Sequence, residues 1–225
     1  MVRQSPFDQK KASILASIDS EKPDFSPKGD IDVLCMPIID LINSHQDMVT
    51  TSSCSGRISI FVEGTKLHKG QVKTGGKGEG GRWLFVTHNS QDVPNWMDKI
   101  DVDNIKVSGV STNLLNEDTR LVLYKFEPFI LHVKCRDFNT ASKLFNTAMA
   151  CGFRESGIGS NNLVAIRINI KLDTPIGYYD QETDAIKLYV SRQYINILDN
   201  LSLFKFKENT SKMEVLHDRI KNQLF

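Results

Sequence analysis

From Phe129 to Arg136 the sequence alternates residue by residue. Phe129, Leu131, Val133 and Cys135 fall on one side of the alternation, and Ile130, His132, Lys134 and Arg136 on the other. A period of two fits a strand with one face on an apolar core and the other on a polar surface. Leu163 to Ile170 follows the same rule, with Val164, Ile166, Ile168 and Ile170 opposite Arg167 and Asn169. Further strands are expected at Arg57 to Glu63, Trp83 to His88 and Arg120 to Phe126, the last joined to the Phe129 strand at Glu127-Pro128. Helical spacing covers Ser5 to Asp19, with Ser5 as N-cap, and Asp30 to Ser44, which Pro37 should kink or divide at Met36. A short helical piece is expected at Pro94 to Ile100 and a longer one at Thr140 to Cys151, stopped by Gly152. Tyr189 to Phe225 reads as largely helical with a break near Asn209.

Helices flank runs of strands without regular βαβ alternation. That order implies an α+β fold, a single domain with a mixed β-sheet flanked by helices, and not a doubly wound Rossmann-type sheet. The expected organisation is one domain over residues 1–225. It carries a flexible Gly/Lys-rich loop at about 64–81 and a helical C-terminal segment at about 189–225.

Composition narrows the function classes. No apolar run approaches the ~20 residues that cross a bilayer, so no membrane role is expected. Met1 to Pro6 leads into charged sequence without a secretory h-region. Cys35, Cys54, Cys135 and Cys151 lie far apart with no paired metal-ligand spacing, so no metal is expected and the chain reads as reduced and intracellular. The net charge of +1 lacks the basic excess of a protein that binds nucleic acid mainly through phosphates. The basic residues Lys66, Lys69, Lys73, Lys77 and Arg82 are nonetheless concentrated in the glycine-rich stretch, against the single acid Glu79.

The chemistry is concentrated in Thr50-Thr51-Ser52-Ser53-Cys54-Ser55-Gly56-Arg57, at the entrance to an expected strand. Hydroxyls, a thiol, a glycine that lets backbone approach closely and a planar cationic fork suit a phosphate, a carboxylate or a base edge. The same residues also suit a plain Ser/Thr-rich turn. Cys54 with Arg57 three residues on admits a nucleophilic thiolate, but the spacing is too short for the phosphate loop of cysteine phosphatases. Gly75 to Gly81 leads into a strand rather than opening a helix, which argues against a nucleotide-phosphate loop. His132 and Arg167 on a common sheet face suit an anionic or nucleotide ligand, or merely a solvated face. Gly152-Phe153-Arg154-Glu155-Ser156-Gly157-Ile158 makes a polar corner after a helix, and His88 at a strand end is one more acid/base candidate.

Taken in order, Phe7-x-x-x-Lys11 with Asp19, Lys28-Gly29-Asp30-Ile31-Asp32, Thr50 to Ile58, Gly80 to His88, Phe126 to Val133 and Gly152 to Ile158 resemble the wybutosine-synthesising protein 3 family. These are methyltransferases of the tricyclic base beside the anticodon of phenylalanine tRNA. The likeness covers about residues 7–170, and its Ser-Ser-Cys-Ser-Gly-Arg and Gly-Phe-Arg-Glu-Ser-Gly blocks are the specific ones. Relatives often carry serine where this chain has Asp30. The resemblance implies S-adenosylmethionine as methyl donor, phenylalanine tRNA as substrate, and a cytoplasmic tRNA-modification enzyme. On that basis Ser53, Cys54, Ser55, Gly56 and Arg57 are expected to floor the pocket, with Asp30, Arg154 and Ser156 as further binding residues. His132, Glu155 and Asp32 are the expected catalytic groups, and Lys69, Lys73, Lys77 and Arg82 the expected tRNA-backbone contacts. The competing classes are a non-catalytic RNA-binding module and a hydrolase using Cys54. Oligomeric state is not legible in the residues.

Overall fold

The computed structural model describes residues 5–18, 31–65, 67–68, 71–72, 78–94, 96–100, 105–107 and 119–225. In chain order the elements are α1 (Pro6–Ile18), α2 (Met36–Ser44), β1 (Met48–Val62), β2 (Leu67–His68), β3 (Gln71–Val72), β4 (Arg82–Thr87) and β5 (Ile105–Val107). There follow β6 (Leu121–Cys135), α3 (Phe138–Ala150), β7 (Gly157–Ile158), β8 (Leu163–Arg167), β9 (Leu172–Asp180), β10 (Ala185–Leu188) and α4 (Arg192–Leu224). Eight strands form one sheet in the order β4-β1-β6-β9-β10-β5, with β8 also on β6 and β7 on β8; β2 and β3 pair only with each other. The β1–β4, β6–β8, β6–β9, β7–β8 and β9–β10 pairs are antiparallel and β5 joins β10 in parallel, so the sheet is mixed. The class is α+β, as the order of elements implied.

The chain packs as two compact units, one of Met1–Gly56, Pro128–Asn169 and Lys207–Phe225, the other of Arg57–Glu127 and Ile170–Phe206. In the first, the inward face of β6 places Phe129, Leu131, Val133 and Cys135 at 1% exposure or less. Also buried in this unit are Val164 and Ile166 of β8, Ala141, Leu144 and Ala148 of α3, Ile38, Ile39 and Ile42 of α2, and Leu216 and Ile220 of α4. Helix α1 is tied down by Arg136. Its guanidinium donates to Asp8 at 2.7 Å and to Asp47 at 2.6 Å, and lies 4.6 Å over the Phe7 ring.

In the second unit, Trp96, Tyr124, Phe126, Ile176, Ile195, Leu198 and Phe206 are buried. The carboxylate of Asp199 on α4 accepts from both Trp96 Nε1 (3.1 Å) and Tyr124 Oη (2.8 Å), and burial pushes its pKa above the usual carboxylate value. The sheet here curls until its β4 edge meets the β9–β10 hairpin. The Arg82 guanidinium stacks 5.0 Å from the Tyr179 ring and lies 3.9 Å from Asp184, while Arg120 covers the same tyrosine at 4.7 Å.

Four expectations need correcting. The Thr50 to Arg57 segment is not a turn before a strand; it lies inside β1, a strand of 15 residues. The strands expected on either side of Glu127-Pro128 are one strand, β6, also of 15 residues. Proline has no N–H to give to a ladder, and it is there that β6 changes partner: Leu121 to Phe126 pair with β9, Ile130 to Lys134 with β8. The C-terminal helix is unbroken over 33 residues. Its buried positions, Ile195, Leu198, Asp199, Ser202, Phe206, Asn209, Met213, Leu216 and Ile220, recur at spacings of three and four, so Asn209 faces inward instead of ending the helix. The piece expected over Pro94 to Ile100 is a short 3-10 turn, Trp96–Lys99. Pro37 does divide the second helix at Met36, a 3-10 turn at Val33–Cys35 preceding α2.

The Arg136 clamp carries a pH signature. Hydrogen bonds from Arg136 and then Ser5 hold the Asp8 carboxyl down at about 2, against about 3.9 in an unfolded chain. The stability it contributes is therefore complete above the unfolded value and is lost as pH falls through the folded one. Asp8→Asn should be less stable than the parent at neutral pH, and the gap should close between about pH 4 and pH 2 in acid-unfolding curves. A gap that stays constant with pH would contradict the assignment.

Candidate methyl-transfer site

Within the first unit the Thr50 to Gly56 segment is held by side chains from three places in the sequence. Asn43 Oδ1 on α2 accepts from both the Thr50 amide (2.8 Å) and the Thr50 hydroxyl (3.1 Å). Ser55 is 2% exposed; its N–H donates to Asp32 Oδ2 at 2.9 Å, and its carbonyl accepts from Asn209 Nδ2 at 2.7 Å. The same Asn209 accepts from the Phe129 N–H at 2.8 Å, so one side-chain amide satisfies β1 and β6 together. Gly56 has φ = 102°, a backbone angle that side chains rarely tolerate. Just before this glycine the Ser55 N–H and carbonyl, which belong to successive peptides, are bound by Asp32 and Asn209.

Asp32 is 8% exposed and precedes the Val33–Cys35 turn. One of its carboxylate oxygens lies within 4.8 Å of the Cys54 thiol. The expected residues Asp32, Cys54, Ser55 and Gly56 thus come together, with half-buried Ser53 next along the strand. Asn209 completes the group and was not foreseen. Its signal in the sequence was a polar residue at a stripe position of a helix, as Asp199 and Ser202 also are.

A second cluster lies on the polar face of β6. Ser52 Oγ is 2.8 Å from His132 Nδ1, and the Thr51 hydroxyl donates to the His132 carbonyl at 3.2 Å. Burial, and next the charge of Arg167, holds the His132 pKa below the usual imidazole value, so the ring is neutral at pH 7. His132 pairs across the sheet with Ala165, and Ile130 with Arg167. The Gly152 to Gly157 corner joins this cluster through β8. Ser156 Oγ accepts from the Arg167 N–H at 3.1 Å, and the Glu155 N–H donates to the Arg167 carbonyl at 3.3 Å. The side chains of Arg154 and Glu155 are exposed.

In the second unit, Arg57 Nε donates to Glu127 Oε2 at 2.7 Å and its guanidinium lies 5.2 Å over the Trp83 ring. Arg82 stacks on Tyr179, and His88 follows β4, half-buried. Asp30, Lys69, Lys73 and Lys77 lie outside the described residues.

This arrangement contains a buried carboxylate, hydroxyls, main-chain carbonyls and a neutral imidazole. Such groups orient a polar substrate and take up a proton; among the described residues no glycine-rich turn opens an α-helix. Comparison with known proteins identifies the family. The profile of the family described as Methyltransferase TYW3 matches residues 9–222. The chain is 59% identical, over all of its length and 84% of the relative's, to tRNA wybutosine-synthesizing protein 3 of Saccharomyces cerevisiae. It is 40% identical to the Schizosaccharomyces pombe protein of the same name, over 97% of this chain and 88% of that one. The PH1069 protein from Pyrococcus horikoshii OT3 shares the fold, with a TM-score of 0.68 at 24% identity over 98% of this chain and 96% of that one. The chain belongs to the TYW3 methyltransferase family.

The clamp can be tested by stability. Asn209→Leu strands the Ser55 carbonyl and the Phe129 N–H in the core, which should cost about 1–3 kcal/mol. Gly56→Ala forces a side chain onto a positive φ and should cost about 1–3 kcal/mol. Denaturant unfolding measures both; loss of less than about 0.5 kcal/mol in each, the range of ordinary surface changes, would show that the Ser55 peptide is not held as described.

Proposed function

We propose that this protein is a tRNA methyltransferase of wybutosine synthesis. It transfers methyl from S-adenosylmethionine to a ring nitrogen of the tricyclic guanosine beside the anticodon of phenylalanine tRNA, in the cytoplasm. The observation that carries this reading is the 59% identity to a yeast protein named for wybutosine synthesis on tRNA. The residues around Ser55 suit the donor chemically. A carboxylate and main-chain carbonyls attract a sulfonium, and ribose hydroxyls and amino groups need the acceptors that Asp32 and the hydroxyls of Ser53 and Ser55 provide. S-adenosylmethionine supplies an electrophilic methyl carbon, and in-line transfer to nitrogen depends on alignment more than on a strong base.

In the first unit, Asp32, one oxygen of which accepts from the Ser55 N–H, orients the bound substrate. His132, with Nδ1 turned to Ser52 Oγ, takes at Nε2 the proton that the methylated ring nitrogen gives up. Glu155 is the second proton-handling group, and Arg154 and Ser156 bind the substrate at the corner after α3. Cys54 and Gly56 let the backbone of the pocket floor come close to its ligands. In the second unit, Arg57, oriented by Glu127 and Trp83, receives an anionic group, and Arg82, with Lys69, Lys73 and Lys77, follows the tRNA backbone.

Purified protein with labelled S-adenosylmethionine should methylate phenylalanine tRNA that lacks the last steps of the modification. His132→Ala and Asp32→Asn should each lower kcat by about a hundredfold, the size of a lost proton-transfer or orienting group. Arg82→Ala should weaken tRNA binding and reduce the slope of log affinity against log salt by about one unit. No methyl transfer to that tRNA by the folded protein would overturn the reading.

A further inference from the structure

The second unit contains a cavity of about 460 Å³. Among the described residues it is lined by Arg82, Trp83, Leu84, Lys99, Ile100, Asp184 and Ile186. Its walls come from β4, from the Trp96–Lys99 turn with Ile100, and from the β9–β10 hairpin. All of its lining belongs to the second unit, whereas Asp32, Ser53 to Ser55 and His132 belong to the first.

Its chemistry is mixed in a particular way. Leu84, Ile100 and Ile186 supply an apolar floor, and the Trp83 indole, fixed edge-on to Phe61 at 6.4 Å, supplies a π surface. Arg82 and Lys99 bring two cations; their side chains stay 53% and 45% exposed, so both charges stand at the mouth. Each is held in place, Arg82 on the Tyr179 ring and Lys99 by Asp92 Oδ1 at 2.9 Å. Asp184 adds one carboxylate at the rim, 3.9 Å from Arg82. An acidic peptide would find no use for the indole, and an acyl chain none for the carboxylate. A nucleotide uses all four kinds of group: base on indole and apolar floor, phosphate on the cations, ribose hydroxyl or exocyclic amine on Asp184. The volume lies within the ~300–1,000 Å³ range of small-molecule sites.

We propose that this cavity is a subsite for one nucleotide of the RNA other than the one that is methylated. The inference rests on the methyltransferase reading only for the source of that nucleotide. Grip on a neighbouring nucleotide would fix the RNA's register and supply binding energy away from the reacting atoms.

The test uses the fluorescence of the full chain titrated with guanosine or adenosine 5′-monophosphate. The sequence has two tryptophans, and Trp96 is 1% exposed, so Trp83 is the reporter. At least one nucleotide should quench saturably, and Trp83→Phe should remove the change. Arg82→Ala and Lys99→Ala should each weaken binding about tenfold, the effect of losing one phosphate contact or comparable group. S-adenosylmethionine should neither mimic nor displace the nucleotide. In the methyl-transfer assay Lys99→Ala should raise KM for tRNA while leaving kcat in place. The Lys99 side chain is 45% exposed, so this variant remains informative even if Arg82→Ala, which braces Tyr179, unfolds. No saturable quenching in an active preparation would overturn the subsite while sparing the methyltransferase. Displacement by S-adenosylmethionine would overturn it by making the cavity the donor site. Saturable nucleotide quenching in a preparation that methylates no tRNA would leave the subsite standing and sink the broader reading.

Discussion

At Ser55 the main chain of β1 is bound by side chains instead of by a neighbouring strand alone: its N–H donates to Asp32 and its carbonyl accepts from Asn209. Ser55 is 2% exposed and precedes a glycine at φ = 102°, so its N–H and carbonyl would lie buried without partners if no side chain took them. Such groups cost about 1–3 kcal/mol each when left unmade, so something must bind them, and that requirement reaches across the chain. Asp32 must precede α2 closely enough to take the N–H, and Asn209 must lie on the inward stripe of α4 to give its amide to the carbonyl. Because Asn209 also takes the Phe129 N–H, the change of partner in β6 at Pro128 and the positive-φ glycine of β1 are linked through one side chain.

The same logic explains how α4 carries polar residues inward. Asp199 and Asn209 both occupy its buried stripe, and each is satisfied by strand or turn partners rather than by solvent. Asp199 gathers the Trp96 and Tyr124 donors; Asn209 gathers two main-chain groups. Hydrogen bonds of this kind fix the helix's rotation more strictly than apolar packing does, because an apolar face tolerates small slips and a paired amide does not.

Periodicity made the apolar architecture legible. The alternation around His132 and the stripe through Ala141, Leu144 and Ala148 placed β6, β8 and α3 correctly, with polar faces where the structure has them. It failed where geometry is set by single residues. Pro128 read as a joint between two strands because it cannot donate, yet the chain runs straight through, since the next N–H finds Asn209. The run Asn209-Thr210-Ser211 read as a helix break because its side chains favour turns, and burial overrode that tendency. Strands β9 and β10 carry Pro175, Gly177 and paired tyrosines in place of clean alternation, and were not foreseen. At the candidate site, the hydroxyl-rich block marked itself by composition. Its clamp did not, since Ser55 and Asn209 are 154 residues apart and nothing local relates them.

The central claim is that the clamped Ser55 segment forms the methyl-donor site. Calorimetric titration of S-adenosylmethionine into the parent protein and into Asn209→Leu, both confirmed folded by circular dichroism and with hypomodified phenylalanine tRNA present, tests it most directly. The account predicts binding by the parent and affinity at least about tenfold weaker in the variant, a change of about 1.4 kcal/mol. Equal affinity in the two proteins, or no binding by the parent, would contradict it.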